Sequence, residues 1–476
     1  MSGVGVTRGG GGVGRRRVLV FPLPFEGHIN PMLQLAGALH GRGGLSVTVL
    51  HTRFNALDPS LHPELAFAEV PDGVPPDVAA AGSIAEIIHA MNAAMEGESS
   101  PTWTSVRDVL ASVVAADEEK PPAACLIIDA NLLAVQKAAA SLGLPTLVLR
   151  TGSAACLSCF LAYPMLHEKG YLPPKESRLY EPLKELPPLR IRDLFYSGQA
   201  NHEIIREILA RAIETVRNSD GLVINTFDEL EPPELERIRG EVDVAVVLAV
   251  GPLHKLSPVD YAGRSSLLRQ DHSCIEWLDT QATGSVLYVS FGSLASMDSD
   301  EFLEVAGALH SSGHPFLWVI RPDLVRGSHA TTSTRLPDGF ERAVEEEGRR
   351  GKVIHWAPQQ QVLAHHAVGG FWTHAGWNST LESISEGVPM ICRPQFADQM
   401  MNTRYVQEAW GVGFELEGEL KRGEIERAIR KLMGEKEGAG LRERAEKLRK
   451  KVAGCLESGG SSQVALDKLV KYIASL

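Results

Sequence analysis

Residues 16–24, RRVLVFPLP, form a short apolar run that does not alternate and is closed by proline. Such a run suits a strand buried on both faces, and that burial needs a parallel sheet with helices over each side. The next stretch, INPMLQLAGALHGRGG, changes to helical spacing, with Pro31 near its start and glycine at its end. LSVTVL then returns to strand. Strand, helix and strand in this order predict the opening of a doubly wound parallel sheet. The succession recurs at AACLIIDA (123–130), NLLAVQKAAASLGLP and TLVLR, with GLVINTF (221–227) as a later strand. Between positions 251 and 271 the periodicity fades and Pro, Gly and Ser increase, which predicts a linker. A second half opens with SVLYVSFGSLASMDSDEFLEVAGALHSSG and continues through the strands FLWVI, KVIHW, GGFWT and PMICR. The string AGALH lies in the first helix of each half, at 36–40 and 306–310. The expected architecture is α/β, with two Rossmann-like domains, 16–250 and 272–455, facing each other across a cleft. In such sheets ligands sit outside the carboxyl ends of the strands.

A chain of 476 residues with 44% hydrophobic and 22% charged residues is composed like a globular protein of two or three domains. Its net charge of −12 argues against a nucleic-acid or anionic-membrane partner, and no stretch has the apolar length of a membrane span. Residues 1–15 lack an apolar segment and read as a disordered leader. Gly9, Gly11 and Gly14 satisfy G-x-G-x-x-G but precede the first strand, the wrong order for a dinucleotide fingerprint. The six cysteines are scattered, mostly in apolar runs, which predicts buried free thiols and a cytoplasmic location. Cys156 and Cys159 are spaced as C-x-x-C among small residues suited to helix packing.

The stretch FWTHAGWNSTLESISEGVPM (371–390) combines strand, turn at Gly376 and helix from about Asn378, and holds no Lys or Arg. A helix N-terminus offers unpaired N–H groups and a positive dipole end to an anion. His374, Asn378 and Ser379 add neutral donors. Ser379 and Glu382 also have the S-x-x-E spacing of a capping box, which is the structural alternative. Glu382, one turn inside, is placed to accept two ribose hydroxyls. HWAPQQ (355–360) follows another strand and offers Trp356 as a stacking surface for a base, with Gln359 close behind. Asp298 and Asp300 form D-x-D at a helix start, where acids cap the helix. His355, His365, His366 and His374 lie in different elements and lack the spacing of a zinc site.

The uninterrupted block at 356–399, WAPQQQVLAHHAVGGFWTHAGWNSTLESISEGVPMICRPQFADQ, closely resembles the signature box of plant family-one UDP-sugar glycosyltransferases. The resemblance extends from PLPFEGHINP to VLYVSFGS and FLWVIRP. It implies a GT-B fold, with helix 456–476 packing back on the first domain, and UDP-glucose as co-substrate without a cofactor or metal. By this resemblance Trp356, beside Ala357, stacks on uracil, and Gln359 and Glu382 hold the ribose. Gly27, Ser293, His374, Asn378 and Ser379 attend the diphosphate, Trp377 shapes the sugar pocket, and Asp398 and Gln399 take the sugar hydroxyls. His366, Ala375 and Trp372 depart from the usual residues without touching that pattern. Arg393, in ICRPQF, resembles the branch that includes cytokinin and benzoxazinoid glucosyltransferases. It points either into the cleft or to solvent.

In the first half, LPFEGHINP places His28 just beyond the first strand, and Asp129 ends the strand CLIID at the same sheet edge. A carboxylate on one ring nitrogen fixes the tautomer and stabilises the imidazolium, which the adjoining helix N-terminus disfavours. Helix capping is the alternative for both residues; the family resemblance implies a general base and its partner. The predicted reaction is a single displacement with inversion. The acceptor is expected to be a small, largely apolar molecule held by the first half. Phe25, Glu26, Asn131 and Phe195, with Arg393 opposite, are its candidate wall. The chain is expected to work as a monomer. Neither PLPFEGHIN nor SFGSLASMD carries the glycine pattern a dinucleotide-dependent oxidoreductase needs. His28 and Asp129 argue against a UDP-sugar-binding protein without catalysis.

Overall fold

Each half of the chain builds one parallel sheet, and in both sheets the central strands are buried on both faces. The structure, a computed structural model, describes residues 16–81, 83–96, 101–115, 121–195, 202–257, 268–326, 340 and 350–476. The expected leader and positions 258–267 of the expected linker lie outside the described residues. The first sheet comprises β1 (Arg17–Phe21), β2 (Ser46–His51), β3 (Ala66–Glu69), β4 (Ala123–Asp129), β5 (Thr146–Arg150), β6 (Gly221–Ile224) and β7 (Val247–Ala249). Their order is β3-β2-β1-β4-β5-β6-β7. The second sheet has β8 (Val286–Ser290), β9 (Phe316–Val319), β10 (Gly351–Ile354), β11 (Val368–Thr373), β12 (Met390–Cys392) and β13 (Gly413–Glu415), ordered β10-β9-β8-β11-β12-β13.

Alternate residues of one strand feed different cores. Leu19 and Phe21 pack with Leu126 and Ile128 on one face, Val18 and Val20 with Cys125 and Ile127 on the other. The second sheet repeats this, Val286 and Tyr288 on one side and Leu287 and Val289 on the other. This two-sided burial is what the unalternating runs predict. The edge strands β3, β7 and β13, of four, three and three residues, were not among the expected strands, although β7 lies in the apolar run VAVVLAV.

In both sheets the chain order reverses beside the first strand, between β1 and β4 and between β8 and β11. Crevices form at such switch points. Register sets what faces them: Phe21 lies beside Ile128, and Thr373 lies between Ser290 and Cys392. The loops after β1 and β4 therefore emerge together, as do those after β8, β11 and β12.

The helix Glu435–Leu456 covers the second sheet through Ala445, Leu448 and Val452. A break follows, where a Cβ on Gly460 would meet the Gly454 carbonyl at 2.3 Å. The last helix, Ser461–Ser475, then puts Ala465, Leu466, Leu469 and Ile473 into the core of the first sheet. The halves also meet through Tyr405, whose hydroxyl donates to Glu234 at 2.6 Å, and Trp410, whose indole N–H donates to the Leu230 carbonyl at 3.2 Å.

Candidate active site

The helix after β1 runs Glu26–Gly43, so His28 sits in its first turn and not ahead of a helix beginning at Ile29. No side chain of the N-cap residue Phe25 caps it. His28 Nδ1 lies 2.6 Å from Asp129 Oδ2 and 3.0 Å from the Thr151 hydroxyl. A proton on Nδ1 shared with a carboxylate leaves Nε2 as the lone-pair nitrogen. The His28 side chain keeps 26% of its exposure while that of Asp129 keeps 2%, so the ring is reachable and its partner is not. Burial pushes the Asp129 carboxyl up, but His28, the Asn131 backbone N–H and the Arg150 charge outweigh it and hold Asp129 below the ordinary carboxylate range. Nothing local in the sequence links Thr151 to His28, 123 positions away.

The candidate acceptor residues separate. Phe25 is buried, edge-on to His28 at 6.4 Å, and Glu26 begins the helix. Asn131 is buried, and its backbone N–H donates to Asp129 Oδ1, so it backs the dyad. Phe195 packs edge-on against Phe160 at 5.3 Å. Arg393 Nη1 donates to the carbonyls of Leu416 and Gly418, at 3.1 and 2.6 Å, and Nη2 lies 3.6 Å from Glu301. That ties the β12 end to the β13 loop.

In the second half, the strand-to-helix turn after β11 differs from expectation. Ala375, not Gly376, takes the left-handed conformation (φ 61°), and Gly376 is extended. Gly376 is required for room: a Cβ there would lie 2.5 Å from His374 Nε2. Gly292, in the loop after β8, would clash with the same ring at 2.6 Å. The imidazole is thus clamped between two glycines. Burial, with the nearby Arg321 charge, pushes His374 down to about 4, so it is neutral at pH 7. The helix that follows is Trp377–Glu386, and its N-cap Gly376 supplies no side-chain cap. Its first N–H groups therefore take no bond from the N-cap side chain.

The capping-box alternative fails on position, because Ser379 is the third residue of the helix. The Ser379 hydroxyl instead accepts from Gln359 Nε2 at 2.9 Å, and the same amide donates to Glu382 at 2.7 Å. Gln360 donates to the other Glu382 oxygen at 3.1 Å, and the Tyr288 hydroxyl donates to Gln359 Oε1 at 3.2 Å. Burial pushes Glu382 up to about 7 against these donors. Trp356 and Ala357 follow β10 into the same region, Trp356 half-buried and Ala357 buried.

Arg321, near enough for its charge to act on His374, is a cation from outside the stretch 371–390. Buried at the end of β9, it donates to the Gly292 carbonyl at 2.9 Å and to that of Ala295, and pairs with Asp323 at 2.6 Å. It fixes the loop that carries Ser293. An arginine closing the apolar run FLWVI was the available signal.

Asp398 stands at the N-cap of the helix Gln399–Arg404 and accepts from Asn402 at 3.1 Å. Burial raises its carboxyl, opposed by Asn402 and Arg150. Gln399 Oε1 accepts the N–H groups of Gln395 and Phe396, at 2.8 and 3.2 Å. Two such donors fix the amide orientation and leave only its NH2 for a ligand. Trp377 is buried and its indole N–H donates to the Asn225 carbonyl at 2.8 Å, so the ring joins the halves. Asn378 Nδ2 also crosses the cleft, to the Gly27 carbonyl at 3.0 Å.

The remaining motifs are structural. Asp298 and Glu301 form a reciprocal capping box on the helix Ser299–Ser312. His355 bonds the Ile320 carbonyl and His365 bonds Asp279. Cys156 and Cys159 are buried, Cys156 pushed up to about 12 and Cys159 well above the ordinary thiol range by burial.

Comparison with known proteins shows the family and the fold. The family model described as UDP-glucoronosyl and UDP-glucosyl transferase matches residues 231–439. The DIMBOA UDP-glucosyltransferase BX9 of Zea mays is 46% identical, over 92% of this chain and 91% of its own. The fold superposes on the UDP complex of UDP-glucose:anthocyanidin 3-O-glucosyltransferase with TM-score 0.81 and 27% identity, covering 97% of this chain and 99% of that one. Phytolacca americana UGT2, complexed with UDP-2fluoro-glucose and pterostilbene, gives TM-score 0.79 and 28% identity over 96% of this chain and all (100%) of the other.

Proposed function

Since the chain belongs to the plant UDP-glycosyltransferases and shares their GT-B fold, we propose that it moves glucose from UDP-glucose to a hydroxyl or nitrogen of a small, largely apolar metabolite, with inversion. The carrying observation is the His28–Asp129 contact of 2.6 Å, placed opposite the uncapped helix start at Trp377. The name of the maize relative makes a DIMBOA-type acceptor the first to try.

In this mechanism His28 Nε2 takes the acceptor proton while the acceptor oxygen bonds to the anomeric carbon. The bond from that carbon to the diphosphate oxygen breaks, and UDP leaves with the electron pair from the opposite face. Asp129, kept ionised, stabilises the imidazolium that forms. The N–H groups at the start of the Trp377–Glu386 helix, neutral His374, Asn378 and Ser293 receive the growing charge on UDP. Gln359 and Glu382 hold the ribose and Trp356 stacks on the uracil. Asp398 and the Gln399 NH2 meet the sugar hydroxyls. Such donors stabilise the leaving group without a metal. Six buried free thiols support a reducing, cytoplasmic setting.

The test is incubation with UDP-glucose and a panel of phenolic, benzoxazinoid and N-heterocyclic acceptors, read by product mass. A hexose gain is expected on at least one; no gain on any favours a binding protein. His28→Ala is expected to lower transfer by about 10²–10⁴-fold while UDP still binds, and unchanged turnover removes His28 as the base.

A further inference from the structure

The bond between Asn378 and the Gly27 carbonyl has a cause in the first helix. Within Glu26–Gly43 the residue four positions after Gly27 is Pro31. A helical carbonyl ordinarily accepts from the N–H four residues on, and proline has none; its ring also pushes that carbonyl off the helix axis. Gly27 adjoins His28, and its carbonyl receives Asn378 Nδ2 at 3.0 Å from a residue 351 positions away. A Cβ on Gly27 would meet nothing within 4 Å, so packing does not demand glycine there. What the position supplies to the cleft is its backbone.

We propose that Pro31, Gly27 and Asn378 form a cross-cleft positioning latch: Pro31 frees the Gly27 carbonyl, and Asn378 occupies it. An amide nitrogen carries two hydrogens. One is used on Gly27; the other, on the same NH2 group at the helix start, is directed to the diphosphate. The residue that receives the donor therefore also sets the position of the turn bearing His28. Donor binding and base placement are coupled through one side chain. The latch rests on the roles proposed above for Asn378 and His28; Pro31 touches neither substrate nor reacting atoms and is a positioning residue.

A double-mutant cycle tests this on the full chain. Pro31→Ala returns an N–H to the helix, which competes for the Gly27 carbonyl without breaking the fold, since alanine is the better helix former. Losing one well-placed hydrogen bond corresponds to about a tenfold effect. In the wild-type background P31A is expected to lower kcat about tenfold and weaken UDP about fivefold, with an unchanged or higher Tm. In the Asn378→Ala background the same change is expected to alter either quantity less than about twofold. Equal P31A effects in the two backgrounds, or none in the first, overturn the latch; a purely structural proline would act alike in both. UDP affinity by calorimetry needs no acceptor. If wild type transfers nothing, the transferase reading fails separately and the UDP cycle still decides the latch.

Discussion

Glu382 is asked to carry a charge that its surroundings oppose. Burial pushes it up to about 7, although Gln359 and Gln360 both donate to it. Ribose hydroxyls donate best to the ionised carboxylate, so ligand binding releases a proton wherever the free protein holds one. Affinity must then fall as pH drops below about 7, approaching about tenfold per pH unit. UDP-glucose is the suitable probe because its phosphodiester oxygens do not titrate in this range. Calorimetry between pH 5.5 and 8 should show that slope in wild type and its loss in Glu382→Gln; a flat wild-type profile removes the ribose role. Stability has the opposite sign. The folded value is raised, so the contribution of Glu382 is fully present below the ordinary carboxylate pKa and is lost as pH rises through about 7. Glu231, buried under the hydroxyl of Thr226 and the N–H groups of Ala154 and Ala155, is also pushed up to about 7 and adds in the same window.

The unit proposed to hold the diphosphate is a strand, a three-residue turn and a helix. Local signals identified the type and order of these elements because two-sided burial and helical spacing are written within a few residues. They assigned the turn to the wrong residue. Glycine marks either a left-handed backbone or a close approach, and only the packing of His374 tells which. The two roles predict different outcomes for Gly376→Ala. Its extended backbone (φ −61°) suits alanine, but the added Cβ would sit 2.5 Å from His374 Nε2. The ring must shift, so UDP-glucose affinity should fall more than about tenfold, with a stability loss of about 1–3 kcal/mol from overpacking. Unchanged affinity in the folded variant, measured by calorimetry, argues that His374 does not attend the diphosphate.

At the scale of the molecule, the halves are also joined by an ionic cluster. Arg190 and Arg192 of the first half face Glu415 and Glu417 of the second, with Arg192 to Glu415 at 2.8 Å and Arg190 also paired to Asp193 at 2.9 Å. Glu415 keeps only 8% of its side-chain exposure, and burial raises its carboxyl against the arginines. Removing one partner of a buried pair costs about 3–5 kcal/mol, because the other charges stay behind. Glu415→Ala is therefore expected to weaken the junction by about that amount and to split thermal unfolding into two transitions, while UDP affinity is retained. A single unshifted transition in scanning calorimetry would show that the cluster does not hold the halves together.

The two βαβ halves and the order of their strand-end loops were legible in the sequence, as was the continuous block that holds nearly all of the proposed donor-site residues. His28 and Asp129 were legible too, since one follows and the other ends an apolar strand of the same sheet. The edge strands β3 and β13 escaped it, because so few residues of mixed polarity carry no period. So did Arg321, Thr151, the engagement of Arg393 with two carbonyls and the turn of Trp377 toward Asn225. The tertiary structure alone decided which polar groups meet. Periodicity reports the face on which a side chain lies, but hydrogen-bond partners depend on register and on how the two sheets approach. The meeting of Gly27 with Asn378, 351 positions apart, exists only once both halves have folded and closed on each other.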